Sequence, residues 1–121
     1  MKKIGFALCM LFIAIAASAQ LTRTVWKGAV KGDNPQSAIL KFGKDTLVLY
    51  AADKTVIETM VYTVKANVLT LTKINGQSDC GTKSTGKYKL TIAADAMNMT
   101  TVLDTCNDRS SALDATKWIK Q

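Results

Sequence analysis

The chain has 121 residues, is 48% hydrophobic, and carries 16 Lys or Arg against 9 Asp or Glu, for a formal net charge of +7. It contains no histidine, which removes Ser-His-Asp and Cys-His catalysis, histidine metal sites and histidine pH switching. The length suits one compact domain, and lysines spread singly along the chain read as a solvated basic surface, with no nucleic-acid partner expected.

Lys2-Lys3, an apolar run from Ile4 to Ala17, and Ala17-Ser18-Ala19 before Gln20 form the pattern of a secretory signal peptide with an Ala-x-Ala cleavage site. Residues 1–19 are therefore expected to leave, and 20–121 to form the domain, secreted or periplasmic, with a net charge of +5 after Lys2 and Lys3 are removed. The apolar run is shorter than a bilayer span, so no transmembrane segment is expected in the mature chain. Cys9 leaves with the signal, and Leu8 before it is not the small residue that a lipoprotein cleavage site requires.

From Leu21 onward, apolar and polar residues alternate in short segments separated by turn residues. The pattern predicts a first strand over Leu21 to Val30, with Trp26, Gly28 and Val30 on one face, ended by Gly32-Asp33-Asn34-Pro35. Further strands follow over Ser37 to Phe42, Thr46 to Ala51, Thr55 to Val64 and Val68 to Lys73, with a turn expected at Asn75-Gly76. Lys87 to Ile92 and Met97 to Leu103, joined through Ala94-Asp95, read as a sixth and seventh strand. Alternation breaks over 104 to 113, which reads as a helical turn with Asp104 or Thr105 as N-cap, before a last strand, Thr116 to Lys120, holding Trp118. No internal repeat stands out. Eight short strands with short connections predict an all-β, eight-stranded, up-and-down antiparallel barrel with a short helical turn before the last strand; an open sandwich is the competing arrangement.

Cys80 and Cys106 flank the sixth and seventh strands, and a disulfide between them would staple that hairpin at its open end. Two cysteines without histidine are too few ligands for a structural zinc site, so no metal and no cofactor is expected.

The early Trp26, the eight-strand meander, and Asp104-x-Cys106-x-x-Arg109 followed by Leu113 and Trp118 resemble the calycin or lipocalin-like barrels, particularly short secreted bacterial ones. Thr24 stands where the family's Gly-x-Trp signature has glycine. The resemblance implies that Trp26 packs beneath Arg109, a structural pairing that guanidinium-over-indole attraction favours.

With the Trp26 face inward, Leu40, Phe42, Leu49, Met60, Tyr62, Leu71, Tyr88, Leu90, Met97 and Met99 would face the interior. Among them Phe42, Leu49, Met60, Tyr62, Tyr88 and Met99, together with Glu58, are the candidate ligand-binding residues. Glu58 is the chain's one glutamate, and it shares a strand face with Met60 and Tyr62. A carboxylate there needs a partner. The opposite face, with Ile57, Thr59, Val61 and Thr63, is half apolar as well, so the sequence leaves the orientation of this strand open. Asp104 and Asp108 are spaced as a glycosidase pair would be, but capping and pairing with Arg109 account for them, and no enzyme is expected.

Two functions follow as expectations. One is a barrel that binds a small apolar or amphipathic ligand in its open end without catalysis. The other is a protein-interaction module, in the manner of secreted hydrolase inhibitors, with a filled core and binding loops at Lys31 to Gln36 and Ile74 to Lys83.

Overall fold

Period-two patterning carries the chain through eight strands. A computed structural model describes residues 21–32 and 34–121; the expected signal peptide, Cys9 and Asp33 lie outside the described residues. The strands are β1 (Thr24–Val30), β2 (Gln36–Phe42), β3 (Thr46–Ala51), β4 (Val56–Lys65), β5 (Val68–Gly76), β6 (Thr85–Ala93), β7 (Ala96–Asp104) and β8 (Thr116–Lys120), with a helix, α1 (Asn107–Leu113), before the last. Each strand pairs antiparallel with its sequence neighbours, and β8 pairs with β1, closing an up-and-down barrel. Closure leaves no free sheet edge of the kind a sandwich would have to protect.

The interior is the face that alternation predicts. Trp26, Leu40, Phe42, Leu49, Met60, Tyr62, Leu71, Tyr88, Leu90, Met97 and Met99 are all buried, joined by Leu21, Leu47, Leu69, Leu113 and Trp118. Phe42 and Tyr62 meet edge-on with ring centroids 5.1 Å apart, an arrangement that sets the positive ring edge against the negative face. On β4 the open question resolves with Glu58, Met60 and Tyr62 inward and Val61 and Thr63 exposed.

Three boundaries differ from expectation. Leu21 to Arg23 form a turn rather than the start of β1, because Arg23 takes a left-handed conformation (φ 64°) that no strand accommodates. Asn75-Gly76 is not a turn. Both residues belong to β5, where Gly76 pairs with Glu58 at φ 148°, and a Cβ there would run into the Glu58 carboxylate. The helix is capped by Cys106, not by Asp104 or Thr105; the Asp104 carboxylate instead accepts the Cys106 N–H at 2.8 Å.

The described chain also contains a short repeat that the linear reading passes over. Leu21-Thr-Arg-Thr24-Val-Trp26 and Leu113-Asp-Ala-Thr116-Lys-Trp118 share the spacing Leu-x-x-Thr-x-Trp. In both, the residue before the threonine has positive φ (Arg23 64°, Ala115 54°). In both, the threonine hydroxyl donates to the leucine carbonyl and accepts the indole N–H, at 2.8 Å in each case. Because β1 and β8 run antiparallel side by side, the two copies seal opposite ends of the barrel. Thr24 is thus the acceptor for the Trp26 indole.

Candidate functional site

The end of the barrel that carries α1 is where polar groups enter the interior. β7 delivers Asp104 and α1 delivers Arg109, five residues apart. Arg109 Nε and Nη2 donate to the two Asp104 oxygens at 2.7 Å each, and Nη1 donates to the Ser84 carbonyl at 3.2 Å. Tyr88 donates its hydroxyl to the same carboxylate. The backbone of β6 admits this pair because position 86 is glycine, where a Cβ would collide with the Asp104 carboxylate.

Burial works against ionisation of Asp104, but the hydrogen bonds from Arg109 and Tyr88 outweigh it and hold its pKa below the usual carboxylate range. Burial and the neighbouring Asp104 charge together push the Tyr88 phenol well above its ordinary value. For Arg109, burial opposes the charge while the Asp104 bonds favour it, and the balance raises its pKa.

A second buried pair lies alongside. β4 and β5 place Glu58 and Lys73 in the interior with side chains about one-twentieth exposed, their nearest polar atoms 3.7 Å apart. Lys73 Nζ donates to the carbonyls of Ser78 (2.8 Å) and Cys80 (2.9 Å), and the Ser78 hydroxyl donates to Glu58 Oε2. Lys73 was not among the expected interior residues. The signal was present: Leu69, Leu71 and Lys73 alternate along β5 as Glu58, Met60 and Tyr62 do along β4.

The segment Gln77 to Ser84, which Lys73 organises, is tied to the helix. Cys80 and Cys106 form a disulfide, with Cα atoms 5.3 Å apart, joining this loop to the N-cap of α1. Asp108 adds a second tie by accepting the Asp79 N–H at 3.0 Å.

Between loop, helix and barrel mouth lies a cleft of about 230 Å³. Its apolar wall is Leu49, Ile57, Met60, Ala112 and Leu113; its polar groups come from Glu58, Gln77, Ser78, Asp108 and Arg109. Of the expected ligand-binding residues, Leu49, Glu58 and Met60 are brought together here. Phe42, Tyr62, Tyr88 and Met99 are placed elsewhere, in the packed interior: Tyr62 donates to the Gly43 carbonyl at 2.6 Å, Tyr88 binds Asp104, and Met99 is fully buried. Arg109 pairs with Asp104, as the sequence reading of that carboxylate expects, and not with the Trp26 ring that the resemblance placed beneath it. Trp26 bonds to Thr24, and among the described residues the ring contact is that of Phe42 with Tyr62.

Among the described residues, no group of three or more His, Cys, Asp or Glu side chains is arranged to hold a metal ion. Fold and site together define a closed eight-stranded barrel with a small, mainly apolar cleft under its helix. No family model, curated protein or solved structure matches this chain.

Proposed function

We propose that the chain is an exported, lipocalin-like barrel that binds a small apolar or amphipathic molecule in this cleft, by contact alone and without catalysis. The observation that carries the reading is the cleft itself: about 230 Å³ of space lined by Leu49, Met60 and Leu113, with a few polar groups among its lining residues. Concave, mostly apolar sites with a few placed polar groups are how small ligands are held. Methionine at the wall adapts to ligand shape. Export is supported by the signal-peptide pattern and by the Cys80–Cys106 disulfide, since such bonds persist in oxidising compartments.

The test is native mass spectrometry of the protein purified without refolding, together with NMR titration by 1-hexanol. A retained small molecule, or hexanol-induced shifts at the Met60 and Leu49 methyls that Ala112→Trp abolishes by filling the cleft, is the expected result. Absence of both overturns the reading. That outcome would favour an interaction module instead, a reading supported by the filled mid-barrel and by Ile74, the first residue of the segment the sequence singles out, which is exposed at the end of β5.

A further inference from the structure

We propose that the cleft's ligand is a small cationic amphiphile, an alkyl- or arylammonium whose nitrogen is received by Glu58 and Asp108; this rests on the ligand-binding reading above.

The argument is a balance of charge and hydrogen-bonding capacity. Both cations near the cleft are already committed. Lys73 spends its donors on the Ser78 and Cys80 carbonyls and stands 3.7 Å from Glu58. Arg109 is held bidentate by Asp104, with a third bond to the Ser84 carbonyl.

The carboxylates have capacity left. A carboxylate accepts about four hydrogen bonds. Glu58 takes the Ser78 hydroxyl and, at 3.5 Å, the Ser78 amide, while exposed Asp108 takes the Asp79 amide on one oxygen. Glu58, Asp104 and Asp108 thus face Lys73 and Arg109, leaving the site one charge negative on a chain whose formal net charge is +7. An anionic ligand would add to that excess, and a monocation cancels it. Size points the same way, because about 230 Å³ sits below the range of drug-sized pockets. Hydrocarbon of that extent lies on Leu49, Met60 and Leu113.

The experiment compares three probes with one chain length: n-hexylammonium, 1-hexanol and hexanoate, titrated at neutral pH and low salt against the methyl resonances of Met60, Leu49 and Leu113. The ammonium is expected to bind at least tenfold more tightly than the carboxylate, with the alcohol between. Glu58→Gln and Asp108→Asn should each narrow the ammonium-to-carboxylate ratio by threefold or more. Asp108 is exposed, so its variant keeps the test sharp even if Glu58→Gln fails to fold. Hexanoate binding as tightly as hexylammonium, or a ratio unchanged in Asp108→Asn, overturns the inference while leaving the cleft a ligand site. If none of the three probes moves the methyls, the ligand-binding reading falls, and the cationic preference falls with it.

Discussion

The two ends of this barrel are sealed by the same device and differ in everything added to it. At one end Leu21, Thr24 and Trp26 form the plug, beside Phe42 and Tyr62, and the buried residues there are apolar or aromatic. At the other, Leu113, Thr116 and Trp118 form the matching plug, but Glu58, Lys73 and Arg109 are buried too, with the Asp104 carboxylate fully enclosed. Burying charge is costly, and a buried ion pair is weak evidence for stability. The plain end shows that the fold can be sealed without it, so the polar end is the one shaped by something other than closure.

Removing the plugs tests whether they are equivalent. Trp26→Ala and Trp118→Ala should each destabilise by about 3 to 5 kcal/mol, the range for deleting a buried aromatic ring, as read by urea denaturation. A near-neutral value for either would break the equivalence and show that its end is held by other groups.

The disulfide should separate the ends more sharply. Replacing Cys80 and Cys106 together by alanine frees a loop spanning a sequence separation of 26. The chain-entropy model puts the loss at about 3.5 kcal/mol. Amide exchange should speed up across Gln77 to Ser84 and α1 while the Trp26 end keeps its protection; uniform acceleration would argue against a local role.

The smallest effect is in acid. The native pKa of Asp104 lies below its ordinary value of 3.8, so it contributes stability that is present above that value and lost as pH falls through the lower native one. Arg109→Gln removes the main hydrogen bonds that depress it, so the variant forfeits that stability already at neutral pH and loses less on acidification, giving a shallower acid limb than the parent's. Coincident acid limbs of the two pH–stability curves would show that the pair is energetically silent.

Much of this was legible in the chain. The large residues expected inside with Trp26, from Leu40 to Met99, are buried, because alternation at period two is all a barrel strand needs. The disulfide was expected from the one pair of cysteines that residues 20–121 contain. What resisted reading was the polar end. Glu58 lay on a strand with two half-apolar faces, and its orientation is decided across the sheet, by Lys73 and by the glycine at 76 that makes room for its carboxylate. Pairing of Asp104 with Arg109 was legible from their spacing and is found as a bidentate bond; what the resemblance added, Trp26 beneath that guanidinium, gives way to the Trp26 bond to Thr24. The repeat escaped because its meaning lies in left-handed turns at Arg23 and Ala115, which ordinary residues rarely adopt.

The seam of the barrel has a consequence of its own. β8 is joined to β1 along Trp26 to Gly28 and to β7 along Ala96 to Met99, short registers beside the fully buried Trp118 indole. Its chain runs straight back into α1, the roof of the cleft. Loosening at this join would therefore lift the roof and part the staves in one movement, coupling the order of the last strand to that of the helix.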